Sequence, residues 1–175
     1  MFHMFSDESK AHGYITAAVV VPAGSVARVR STCREWAMPG SRRFHAQKES
    51  ITRRRVALAS LVAATGTIRV VIIESDRGQR DLSARGAHLR ALARWAGTAS
   101  VSRWVIERDE SVLAADRHVL TTAKVDPGVG TLEYLHLAAA QDPVLWAADF
   151  VAWSWARGGE FRVGIEPLVV ARIRV

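Results

Sequence analysis

A chain of 175 residues has the length of one domain and enough material for a buried core. With 49% hydrophobic and 23% charged residues it is not a disordered chain, and its one cysteine, Cys33, excludes an internal disulfide framework. The formal net charge of +7 is concentrated early, where residues 1–60 hold ten basic and four acidic side chains; that suits either a polyanionic partner or plain solubility.

The opening Met1-Phe2-His3-Met4-Phe5 has neither the basic nor the apolar region of an export signal. The apolar run from Ile15 to Pro22 is too short to cross a bilayer. A cytoplasmic protein without a membrane partner is expected, with Cys33 acting as a small buried hydrophobe.

In chain order, residues 2–5 read as a strand, joined by a turn at 7–13 to a β-branched strand at 14–21 that Pro22 closes. Ser50 is placed to cap a helix running to about Ala64, with Ile51, Leu58, Leu61 and Val62 on its apolar face. A third strand follows at 67–73, then a helical stripe of Leu82, Leu89, Leu92, Ala93 and Ala96. Residues 102–107 form a fourth strand, 112–123 a shorter helix and 132–136 a fifth strand. Asp142-Pro143 pairs a capping residue with a proline at the first helical position, opening a helix that stops at Gly158-Gly159. Residues 161–175 suit a strand by composition and a short helix by Pro167. A hairpin followed by alternating strands and helices predicts one α/β domain over residues 1–175, a mixed sheet of about five strands with helices packed on it.

Chemistry is expected first at Asp149. Its helix, Val144-Leu145-Trp146-Ala147-Ala148-Asp149-Phe150-Val151-Ala152-Trp153, is apolar nearly all round, so this carboxylate should be buried. A buried charge needs an ion pair, hydrogen bonds or a metal, and a salt bridge to an arginine competes with a functional role. Asp7, in Asp7-Glu8-Ser9, ends the first strand; a plain hairpin loop is the alternative. Glu107, in Glu107-Arg108-Asp109-Glu110, ends the fourth strand, where acids also do no more than cap the next helix.

Together the three acids carry more weight. If the first and fourth strands are parallel neighbours, Asp7 and Glu107 meet at one sheet edge, and a helix on the sheet can bring Asp149 there. Clustered carboxylates repel one another without a cation, and oxygen-only donors select Mg²⁺ or Mn²⁺, metals suited to phosphodiester hydrolysis of nucleic acid. His45, flanked by Arg42, Arg43 and Lys48, suits a phosphate contact or a proton shuttle, or is a surface histidine. Arg53 and Arg54 lie in a first helical turn, where the dipole disfavours cations. A phosphate would explain them, and so would a Glu49–Arg53 pair. His136 reads as a hydrogen-bonded core residue, and the six tryptophans mostly as core. No Gly-x-Ser-x-Gly elbow is present, which sets aside a serine hydrolase.

Phe5-Ser6-Asp7-Glu8-Ser9 before a Gly13-Tyr14 strand resembles the opening of the family called "domain of unknown function 3800". The order of further features resembles its short actinobacterial branch: Pro39-Gly40-Ser41-Arg42-Arg43-Phe44-His45 with Glu49 and Arg53-Arg54-Arg55, Glu107, Asp116-Arg117, Tyr134-Leu135-His136, and Asp142-Pro143-Val144-Leu145-Trp146 leading to Asp149. The resemblance implies a ribonuclease-H-like fold and a metal-dependent nuclease. It implies Asp7, Glu107 and Asp149 as Mg²⁺ or Mn²⁺ ligands, Glu8 and Glu49 as additional acids and His45 as a proton carrier. Two positions depart from the family pattern: Lys10 stands in place of a glycine, and Glu107 in place of a shorter aspartate. Both leave open a non-catalytic nucleic-acid-binding or protein-interaction module on the same scaffold.

Overall fold

The computed structural model describes residues 1–11, 13–75, 81–126 and 128–175. Six strands form one sheet in the order β5-β4-β1-β2-β3-β6. They are β1 (Phe2–Ser9), β2 (Ile15–Pro22), β3 (Arg69–Glu74), β4 (Val101–Glu107), β5 (Glu133–Leu137) and β6 (Val169–Arg174). β2 runs antiparallel to its neighbours β1 and β3, while β1–β4, β4–β5 and β3–β6 are parallel pairs. The mixed sheet of the sequence reading is therefore present, with one strand more than expected.

The extra strand comes from the ambiguous C-terminal segment, which contains both alternatives in turn. A short helix α6 (Gly159–Ile165) and a 3₁₀ turn at Glu166–Leu168 precede β6. β1 is also longer than expected. Asp7, Glu8 and Ser9 pair with Ala17, Thr16 and Ile15, so Asp7 lies inside a strand and not in a turn. His12, within the expected turn, lies outside the described residues.

Strand alternation sorts the side chains onto two faces. Phe5, Ala17, Val19, Ile72 and Val105 pack with α1 (Val26–Arg34), α2 (Ile51–Ala63), α5 (Val144–Arg157) and α6. Met4, Ala18, Val20, Val71, Trp104 and Ile106 pack with α3 (Asp81–Thr98) and α4 (Leu113–Ala123). α1 has no counterpart in the sequence reading. Its buried stripe of Val26, Val29 and Cys33 is short and interrupted by arginines.

Ser50 caps α2 as expected, accepting the Arg53 N–H. The buried side of α2 is Ala57 and Leu61, whereas Ile51 and Val62 are exposed. Tertiary packing has rotated that helix relative to its expected apolar face. Asp142 starts α5 by accepting the Val144 N–H at 3.1 Å, and Arg30 from α1 grips the same carboxylate. No described helix is long and apolar enough to cross a membrane.

Candidate carboxylate site

β1 and β4 run side by side, and their last paired residues are Ser6 and Ile106. One residue further on, Asp7 and Glu107 turn to the face that carries Phe5 and Val105, following the two-residue period of both strands. α5 packs across β1 and β2 on that face. Asp7, Glu107 and Asp149 consequently line a single pocket of about 410 Å³, together with Arg43, Phe44, His45, Gln47, Trp146 and Trp153.

The three acids differ in their surroundings. Asp7 is 8% exposed, and among the described residues no cationic side chain pairs with it. Its Oδ1 accepts the Glu8 N–H at 2.7 Å. Burial, a hydrogen-bond contact with the Glu107 carboxyl and the charges of Glu107, Asp149 and Glu8 together push its pKa well above the carboxylate range. Glu107 Oε1 accepts from Arg43 Nη1 at 3.2 Å. Asp149 Oδ2 accepts from His45 Nδ1 at 3.0 Å and from the Ala46 N–H at 2.9 Å.

Asp149 was expected to be buried like the rest of its helix. Its side chain is 20% exposed instead, because α5 turns this position towards the pocket mouth. Among the described residues it is paired with a histidine and a backbone amide, not with an arginine.

Glu8 follows the opposite alternation. Its carboxylate lies 2.5 Å from Arg85 Nη1, an α3 side chain that also forks onto Asp116 of α4 at 2.7 and 2.8 Å. His136 Nε2 reaches the same Asp116 at 3.2 Å, and the Tyr14 hydroxyl stands 3.5 Å from Arg85. His136 is thus hydrogen-bonded and 5% exposed at its side chain, as expected of a core residue. Arg85 was missed by the sequence reading. The signal was its place on the apolar stripe with His88, Leu89 and Leu92, where a cation must find an acid.

Other candidates lie further out. Glu49 bonds Arg53 at 2.5 Å, one turn along, and is not part of the pocket wall. Arg53 also donates to the Trp36 carbonyl. Arg54 donates to the Ala46 and Gln47 carbonyls at 2.7 and 2.8 Å and lies 4.4 Å over the Trp153 ring. Both arginines are engaged inside the protein. Arg42 and Lys48 are exposed. Lys10 lines the pocket and sits 3.9 Å from Glu8, not on Asp7.

The donor set is all oxygen, which fits Mg²⁺ or Mn²⁺ in kind. Among the described residues, however, no group of three or more His, Cys, Asp or Glu side chains stands ready to hold a metal ion. Glu107 is turned to Arg43 and Asp149 to His45. Asp7 is buried and, among the described residues, has no cationic partner, and burial with its acidic neighbours raises its pKa.

One solved structure similar to the chain is ribonuclease HII in the PCNA:RNase HII complex from Archaeoglobus fulgidus. The TM-score is 0.58 at 11% sequence identity, over 90% of this chain and 73% of that one. The fold is ribonuclease-H-like. No family model matches the chain, and no curated protein matches it.

Proposed function

We propose that this protein is a divalent-metal-dependent nuclease whose Asp7, Glu107 and Asp149 form the metal-binding carboxylates. The observation that carries this reading is the convergence of three acids from β1, β4 and α5 on one pocket, with Asp7 buried and, among the described residues, without a cationic partner. The ribonuclease-H-like fold supports it, as does the resemblance of the Asp7-Glu8-Ser9 opening to the domain of unknown function 3800. A divalent cation held there would supply charge neutralisation at a phosphate and activation of water.

The chain's own residues would do the rest. Asp149 Oδ2, by accepting a hydrogen bond from His45 Nδ1, would orient that ring and leave Nε2 for proton transfer. Arg43 spends one N–H on Glu107 and keeps others for a phosphate oxygen. Phe44, Trp146 and Trp153 give the pocket an apolar wall that limits water. Glu8, held by Arg85, would act by fixing the Asp7 strand end and not as a ligand.

A second reading is a non-catalytic nucleic-acid-binding module, favoured by the Arg43–Glu107 and His45–Asp149 contacts that already satisfy two of the three acids. One experiment decides. Labelled single- and double-stranded DNA and RNA are incubated with the protein in Mg²⁺, Mn²⁺ or chelator, beside the Asp7→Asn variant. Metal-dependent cleavage that the variant lacks is the expected result. Binding without cleavage in either metal would establish the module instead.

A further inference from the structure

The surface on either side of the carboxylate pocket is electrostatically lopsided. Trp146 lines both the pocket and a neighbouring groove of about 490 Å³, so the two adjoin at that side chain. That groove is walled by Arg34, Met38, Ser41, Arg42 and Gln141 among others, with no acidic side chain among the described residues that line it. Arg34 and Arg42 are exposed and, among the described residues, neither forms an ion pair. Both guanidinium groups are therefore available to an anion.

A second flank, which shares Asp7, Glu8 and Glu107 with the pocket, is the reverse. Asp7, Glu8 and Glu107 continue into a cleft completed by Arg108, Asp109 and Glu110. Among the described residues that line it the one cation is Arg108, spent on Glu110 at 2.6 Å, while Glu8 is held by Arg85. Asp109 is fixed as a charge, because the hydroxyl and backbone N–H of Ser111 both donate to its Oδ1 and hold its pKa down. A polyanion laid across the pocket would meet two free arginines on one side and a row of acids on the other.

The geometry points to a one-sided path: a nucleic-acid strand lies in the Arg34–Arg42 groove, passes Trp146 and ends at the carboxylates without crossing the Asp109–Glu110 flank. This deepens the nuclease reading and rests on it for the identity of the site. The substrate class is a strand with a free end, or one that turns sharply away, at Asp7. Gln141 and Ser41 offer neutral hydrogen bonds along the groove, and the exposed Met38 a surface for a base.

The test is fluorescence anisotropy with single-stranded oligonucleotides of short and long length, in Ca²⁺ to suppress cleavage, over a series of salt concentrations. In the wild type, added length beyond the groove should bring little further affinity. Arg34→Ala with Arg42→Ala should reduce the slope of log affinity against log salt by about 1.4, two contacts of about 0.7 each for a single strand. Asp109→Asn with Glu110→Gln keeps the Ser111 acceptor and removes the barrier, so the long oligonucleotide should gain several-fold while the short one changes little. The path is overturned by a slope that the arginine variant leaves alone, by equal gains for both lengths in the acid variant, or by no binding at low salt. A parallel assay in Mg²⁺ separates the two readings. Polarity without cleavage ends the nuclease reading and leaves the path; cleavage by a protein indifferent to Arg34 and Arg42 ends the path alone.

Discussion

Asp7 is the residue on which the site's energetics turn. A buried carboxylate facing Glu107 and Asp149 destabilises the fold while no cation is present, so Asp7→Asn should stabilise the metal-free protein by about 1 to 2 kcal/mol. Millimolar Mn²⁺ should raise the melting temperature of the wild type and leave that of Asp7→Asn where it is. A destabilised variant with no Mn²⁺ response in the wild type would make Asp7 structural. Arg43 competes for Glu107 with any cation, at 3.2 Å. Arg43→Gln should therefore enlarge the Mn²⁺-induced rise in melting temperature, even if it weakens nucleic-acid binding. Arg53 and Arg54 belong to a different category because their N–H groups serve carbonyls of the 36–47 segment. Their replacement by alanine should lower the melting temperature, by about 1 to 3 kcal/mol in stability, with less effect on the salt slope than loss of Arg42.

At the scale of elements, the face opposite the pocket is held by a buried ionic clamp. Arg85 of α3 joins Glu8 of β1 to Asp116 of α4, and His136 of β5 closes on Asp116. Removing the cation alone would strand two acids, so Arg85→Met should cost about 3 to 5 kcal/mol, measured by denaturant or thermal unfolding. A loss below about 1 kcal/mol would mean that the clamp contributes little. A second device ties α3 to the strands. His88 is 1% exposed between the hydroxyls of Thr16 and Ser75, each 2.8 Å away, and burial lowers its pKa to about 4. Its folded value lies below the ordinary 6.5, so the unfolded chain takes up a proton first as pH falls. The contribution is complete above pH 6.5 and is lost as pH drops towards 4, by roughly 2 to 3 kcal/mol. Unfolding free energy against pH should show that decline, and His88→Gln should flatten it.

For the whole molecule, the excess of positive charge in residues 1–60 does not make an open basic surface. Arg30, Arg43, Arg53 and Arg55 pair with Asp142, Glu107, Glu49 and Glu160. Three of those four acids lie outside the first sixty residues, so folding spends much of the early charge on the later chain. Among the described residues, Arg34, Arg42 and Lys48 are exposed and outside any ion pair. Nucleic-acid affinity should accordingly show a modest salt slope, that of a few phosphates and not of ten.

Much of the fold was legible because periodicity and capping are local properties. The strands at β2, β3, β4 and β5, the Ser50 cap and the Asp142-Pro143 start all follow from neighbours within a few residues. Asp7, Glu107 and Asp149 stood out for the same reason, as acids ending strands or interrupting an apolar helix. The short α1 escaped because three buried side chains among arginines give too weak a stripe. Pairing was decided elsewhere. Which strands lie side by side, and hence that Asp7 and Glu107 share an edge while Glu8 is turned away to Arg85, depends on contacts far apart in the sequence. So does the choice of partner: one arginine among many reaches Glu107, and a histidine, not an arginine, reaches Asp149. Sequence by itself determined which residues are candidates for chemistry, since their types and local patterns suffice for that. Only the tertiary structure decided which of them meet, because in a sheet every second side chain faces the other way and long-range register selects the edge they share.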